Sequence, residues 1–242
     1  MTYQVNHRQL LNGNNMKDNF LFKPKNHSIK ILNHKNDIPI GKIFCVGRNY
    51  PKHAEEMNEP IERDEPFFFS KPPQSITQET LISYPNNPNN LQHEVELVVV
   101  IGLEGKEIQL KESYKHILGY AVGIDLTKRE LQKIAKANSK PWDLSKGFDN
   151  SAPISLMKLN QNILLREGKI ELRLNGSIKQ SGNISEMIWP VDQLISYLSN
   201  FITLYPGDII FTGTPAGVGK VLKNDKIEAW IEGVGNLEVI FN

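Results

Sequence analysis

Short apolar runs, broken every few residues by glycine, asparagine or aspartate, fill the chain from Ile43 onward. The segments KIFCVG, PFFFS, ELVVVIG, GYAVGIDL, KIELRLNG, DIIFTG, DKIEAWIEG and NLEVIFN are rich in β-branched and aromatic residues, and many close on turn formers. Each predicts a strand. Helical periodicity is rarer. PKHAEEM opens with Pro51, which suits a first helical turn; TKRELQKIAKAN carries Leu131, Ile134 and Ala135 at helical spacing; PVDQLISYLSNFI repeats Leu194, Ile195, Leu198 and Phe201. Because helices and strands do not alternate regularly, the pattern argues against a doubly wound parallel sheet or an eightfold barrel. It predicts an α+β domain, β-rich, on a mixed or antiparallel sheet. Residues 1–38, rich in Asn, Lys and His around the islands FLF and IKIL, read as an irregular or small-β arm preceding one domain over 39–242.

Composition narrows the class. The 242 residues are 39% hydrophobic, enough for an ordinary globular core. Lys and Arg total 28 against 27 Asp and Glu, so the chain lacks the charge bias of nucleic-acid or membrane-surface binders. Charge chemistry must therefore be local. The longest apolar run, LVVVIG, falls far short of the ~20 residues that cross a bilayer. Cys45 is the single cysteine, which excludes an intrachain disulfide, and MTYQVNHRQLLNGNNMKDNF lacks the apolar core of a secretory signal. A cytoplasmic location is expected.

Local charge is concentrated in LQHEVELVVVIG. In an extended strand Glu94 and Glu96 share one face, while His93, Val95 and Leu97 share the other. Unpaired and buried, two such carboxylates repel, so the arrangement calls for a cation between them. Asp125, at the end of the GYAVGI strand, is the natural third member. Three carboxylates suit a hard ion, Mg²⁺ or Mn²⁺, better than zinc, since the cluster has no thiolate. An E-x-E pair also occurs as a solvated strand end, and these residues alone leave both readings open. On a helix from Pro51, His53 and Glu56 share a face, so the carboxylate can orient the imidazole as a base for water; such a pair is also a common surface feature. The glycine-rich FTGTPAGVGK offers backbone N–H groups and the Thr214 hydroxyl to a carboxylate. It lacks the spacing of a phosphate-binding loop, because Lys220 is followed by Val221. Lys146, in PWDLSKGFDNSAP, is an isolated lysine among turn residues.

Taken in order, GRNYPKHAEEM, HEVELVVVIG, GYAVGIDLTKRELQ, PWDLSKGFDNSAP and LYPGDIIFTGTPAGVG resemble the fumarylacetoacetate hydrolase family, most closely its short acylpyruvate hydrolases and oxaloacetate decarboxylases. The resemblance runs from about Gly41 to Asn242. It implies the family's β-rich mixed-sheet roll, a homodimer, and Mg²⁺ or Mn²⁺ held by Glu94, Glu96 and Asp125. It implies a water-activating pair in His53 and Glu56, an active-site lysine in Lys146, and substrate contacts from Arg129, Gln132 and Thr214.

The expected substrate is a small anionic 2-oxo acid that chelates the ion. The expected reaction is hydrolysis of the carbon–carbon bond of a 3-acylpyruvate, of the fumarylpyruvate or acetylpyruvate type, with the ion and Lys146 stabilising an enolate. Oxaloacetate decarboxylation and 2-hydroxydienoate isomerisation are the alternatives on the same site. A non-catalytic metal scaffold is the rival of another class. The charged segment 49–66, with few apolar anchors, is expected to close over substrate as a lid.

Overall fold

The structure, a computed structural model, describes residues 27–57 and 65–242. The expected α+β architecture is present, with every strand read from the sequence in place and only a few short helices. A six-stranded mixed sheet runs in the spatial order Lys158–Leu159, Ile117–Ile124, Val95–Ile101, Ile209–Phe211, Ile43–Gly47, Phe67–Lys71. All its pairings are antiparallel except that of Ile209–Phe211 with Ile43–Gly47. A second sheet has the order Ser177–Asn183, Lys169–Leu174, Lys226–Ile231, Gly235–Phe241, Leu81–Ile82.

The continuous apolar run 97–101 of the strand Val95–Ile101 follows from burial on both faces. Leu97, Val99 and Ile101 join Leu172, Ile227, Val239 and the α4 helix (Val191–Phe201) in the main core. Val98 and Val100 point the other way, into a second cluster with Cys45, Ala121 and Phe211. Ile29 and Ile31 complete that cluster, so the described part of the N-terminal arm packs onto the domain. Its strands Ser28–Ile29 and Ile38–Pro39 pair antiparallel, while residues 1–26 lie outside the described residues.

Two helices differ from the expected faces. In α2 (Arg129–Ala137) the buried residues are Arg129, Gln132 and Ala135, and Ile134 is 57% exposed. The helix turns its polar stripe inward because that stripe meets buried carboxylates. In α4, Leu194, Ile195 and Leu198 are buried as expected, but Phe201 is 67% exposed against Tyr197. Of the segment expected to act as a lid, Pro51–Glu56 forms helix α1, and residues 58–64 lie outside the described residues.

Candidate active site

Antiparallel pairing of Val95 with Ile124 sets Glu94 opposite Asp125, whose N–H donates to the Glu94 carbonyl at 2.8 Å. Glu96 lies two residues along, on the same side of the strand. The carboxylates of Glu94, Glu96 and Asp125 present ligand atoms all within 4.8 Å of one another, every one buried. Glu94 is the shielded member: burial alone would raise its pKa, but Lys146, Arg129 and His53 outweigh burial and hold it well below the usual carboxylate range. Glu96 is the exposed flank electrostatically. Burial, then Asp125 and Glu94, push it well up, with Lys146 and the Gly213 N–H offsetting only part. Among the described residues no cation pairs with Glu96; its Oε2 accepts the Gly213 N–H at 2.7 Å. This donor set fits a divalent ion: all oxygen, anionic, convergent and short of one positive partner.

Three cations frame the cluster. Lys146, on the short helix α3 (Asp143–Lys146), places Nζ 2.9 Å from Glu94 Oε2 and 2.6 Å from Asp125 Oδ2. Burial would lower its pKa, yet Asp125 and Glu94 raise it above the ordinary lysine value, so it stays an ammonium. Arg129 gives three of its five N–H donors to protein acceptors: Nε donates to Gln92 at 2.8 Å, Nη1 to Gln132 Oε1 at 2.6 Å, and Nη2 to Glu94. Lys71, absent from the sequence expectations, lies 2.9 Å from Asp125 Oδ1 as an ion pair without hydrogen-bond alignment. It donates to the carbonyls of Lys146 and Ser151, the latter at 3.0 Å. A signal for Lys71 was available: period two places it on the face of Phe67 and Phe69, which line the pocket.

His53 is 6% exposed at the pocket wall, with Nδ1 3.3 Å from Glu56 Oε2. A carboxylate only accepts, so Nδ1 carries the proton and Nε2 keeps the lone pair. Burial lowers the His53 pKa, and Arg129 adds to this; Glu94 and Glu56 oppose it without reversing it. The imidazole is therefore neutral at pH 7. Asn49, fully buried just before α1, fixes this helix by donating to the Thr212 and Trp189 carbonyls and accepting the Trp189 N–H, at 2.7, 2.9 and 2.7 Å.

The loop 213–217 joins the carboxylate cluster to the histidine side of the site. Gly213 N–H meets Glu96, Thr214 lines the pocket, and Gly217 N–H lies 3.1 Å from both Glu56 oxygens. Both glycines have positive φ, +94° and +98°. A Cβ on Gly213 would press on Asn49, and one on Gly217 would overlap the Lys179 carbonyl, so the close approach needs glycine. The pocket holds about 430 Å³ counting its open mouth, and all nine expected residues except Glu56 line it. Glu56 reaches it through His53. Phe67, Phe69 and Trp142 form an aromatic wall.

The pattern of the family described as fumarylacetoacetate (FAA) hydrolase, C-terminal, matches residues 42–241. A fumarylpyruvate hydrolase of Ralstonia sp is 36% identical, over 76% of this chain and 97% of the relative. The mitochondrial oxaloacetate decarboxylase of Dictyostelium discoideum is 43% identical, over 80% of this chain and 89% of that one. The crystal structure of fumarylpyruvate hydrolase from Pseudomonas aeruginosa with Mn²⁺ and pyruvate superposes with a TM-score of 0.89 at 40% identity, covering 92% of this chain and 99% of the other.

Proposed function

Because the chain belongs to the fumarylacetoacetate hydrolase family, we propose that it is a divalent-metal-dependent hydrolase that cleaves the carbon–carbon bond of a 3-acylpyruvate, of the fumarylpyruvate or acetylpyruvate type. The observation that carries this reading is a buried, convergent carboxylate triad sharing one pocket with a neutral, carboxylate-oriented histidine. A metal scaffold needs no such base.

Glu94, Glu96 and Asp125 would hold Mg²⁺ or Mn²⁺, and the pyruvate bound with Mn²⁺ in the Pseudomonas aeruginosa enzyme supports a 2-oxo acid as the ligand. The ion, when bound, supplies Lewis-acid polarisation of the substrate's keto group. Thr214 donates to the substrate carboxylate. Arg129 occupies the Gln132 carbonyl oxygen and so leaves the Gln132 NH₂ to donate to substrate. His53 Nε2 takes a proton from water as the water oxygen attacks the distal carbonyl. The bond between that carbon and C3 of the pyruvyl unit then breaks, its electron pair passing into an enolate beside the Lys146 ammonium. Protonation at C3 gives pyruvate and a carboxylic acid.

Decarboxylation of oxaloacetate is the second reading, favoured by the Dictyostelium discoideum relative. Loss of CO₂ leaves the same enolate and needs no attacking water. Isomerisation of a 2-hydroxydienoate would use the same ion and carboxylate contacts. A homodimer in the cytoplasm, as the family resemblance and the single Cys45 suggest, completes the proposal; light scattering tests the assembly.

The test is a panel of acylpyruvates, oxaloacetate and 2-hydroxydienoates, each with Mg²⁺, Mn²⁺ or chelator. Chelator should abolish turnover and metal restore it, and Glu94→Gln and Asp125→Asn should lose metal affinity. His53→Ala should slow acylpyruvate hydrolysis by roughly 10² to 10⁴ and decarboxylation less. Full activity of Glu94→Gln in chelator would overturn the assignment, and equal losses in both reactions would make His53 a positioning residue instead of a base.

A further inference from the structure

Gln180 is completely buried on the edge strand Ser177–Asn183, where a register shift at Leu172 and Arg173 leaves Lys179 without a cross-strand partner. Its carboxamide is saturated. Oε1 accepts the Val95 N–H at 3.0 Å and lies 2.9 Å from His93 Nδ1, while Nε2 donates to Thr214 Oγ1 and to the Pro215 carbonyl, both at 2.8 Å. Flipping the amide would set NH₂ against the Val95 N–H and oxygen against the Pro215 carbonyl, so one orientation is allowed.

That orientation dictates how Thr214 behaves. Its oxygen already accepts from Gln180, so its own proton must be donated elsewhere, and among the described residues no acceptor takes it. The pocket that Thr214 lines is the remaining direction. The same amide grips Val95, the residue between Glu94 and Glu96, and so ties the metal-binding strand to the 213–217 loop.

We propose that Gln180 is a positioning residue of this site: by donating to Thr214 Oγ1 it turns that hydroxyl's proton into the pocket, toward the carboxylate of a 2-oxo acid. The proposal rests on the reading of Thr214 as a carboxylate contact. Gln180 itself touches no substrate.

The experiment measures oxalate affinity of the Mn²⁺-loaded protein by calorimetry in wild type, Gln180→Glu, Gln180→Met, Thr214→Val and the Gln180→Glu/Thr214→Val double variant. A glutamate at 180 still accepts from Val95 and His93 but presents an acceptor to Thr214, whose hydroxyl then turns inward. The oxalate Kd should rise roughly ten- to a hundredfold, the range for losing a hydrogen bond to a charged group. Thr214→Val should rise comparably, and the double variant should bind no more weakly than the weaker single. Gln180→Met, which frees the hydroxyl without reversing it, should fall between wild type and Gln180→Glu. Mn²⁺ affinity, followed by electron paramagnetic resonance, should stay within about twofold in all of them. Unchanged oxalate affinity in Gln180→Glu or in Thr214→Val overturns the proposal. So does an equal penalty of Gln180→Glu with and without the Thr214 hydroxyl, which would mean a charge effect alone, or a parallel loss of Mn²⁺, which would mean general collapse. Oxalate binding needs no turnover, so these outcomes are separate from wild-type activity on acylpyruvates, which decides the hydrolase reading.

Discussion

His53 is drawn two ways, down by burial and Arg129 and up by Glu94 and Glu56, with the downward pull prevailing. Only the neutral imidazole accepts a proton from water, so kcat/KM should be flat near neutrality and fall as pH drops through a pKa below the ordinary histidine value of about 6.5. Glu56→Gln removes a group that raises this pKa, so the acid limb should move to still lower pH while the rate falls for want of orientation. A pH–rate profile of both proteins checks the shift, and an upward move in Glu56→Gln would contradict the pairing. The site residues were legible to different depths. Glu94 and Glu96 declare themselves through period-two alternation in an apolar strand, and Asp125 through its place at the end of the neighbouring one. Gln180 is invisible in LNGSIKQSGN, which reads as an exposed polar hairpin; its burial depends on a register shift and a distant loop. Arg129, expected to contact substrate, lines the pocket while giving three of its five N–H donors to Gln92, Gln132 and Glu94, partners that sequence spacing alone does not disclose.

Among the elements, strands were easier to read than helical faces. Strand composition carries over because most of the runs bury at least one face in the two hydrophobic clusters. Helix α2 departs from its pattern, since its apolar Ile134 faces outward and its polar stripe is held in by the Arg129–Glu94 ion pair, which sequence spacing does not reveal. The 213–217 loop is the element on which the site depends most widely. In Gly217→Ala, positive φ and overlap with the Lys179 carbonyl combine, and the loop must shift away from Glu56. We expect a stability loss of about 1–3 kcal/mol together with a fall in kcat of roughly tenfold or more. Gly233→Ala is the control: its φ of +75° is comparable, but its Cβ would meet open space. It should cost about 1 kcal/mol and leave kcat unchanged. Denaturant melts and steady-state kinetics on the two variants separate backbone strain from the loop's hold on Glu56 and His53.

For the molecule as a whole, Glu96, buried beside Asp125 and Glu94, makes the metal-free fold electrostatically expensive and the loaded fold correspondingly firm. At a free Mn²⁺ concentration near a hundred times Kd, linkage contributes about 2.7 kcal/mol, or roughly 5–10 °C in Tm for a chain of this size. Glu96→Gln should melt higher than wild type without metal, because it removes the carboxylate that lacks a cationic partner among the described residues, and should gain little when Mn²⁺ is added. Scanning calorimetry in chelator and in Mn²⁺ tests both statements. The parallel pairing of Ile43–Gly47 with Ile209–Phe211 has a consequence in time. The Lys42–Asp208 hydrogen bond beside it spans 166 positions, and at about 5–20 residues per second a ribosome needs roughly 8–33 s to cover them. Once Asp125 is made, halfway through that interval, the nascent chain carries His53 and all three carboxylates, yet Ile43–Gly47 still has an unpaired edge and the Thr214 loop does not exist. Catalytic competence is thus acquired at the close of translation, and the newborn polypeptide depends until then on whatever shields an open β edge.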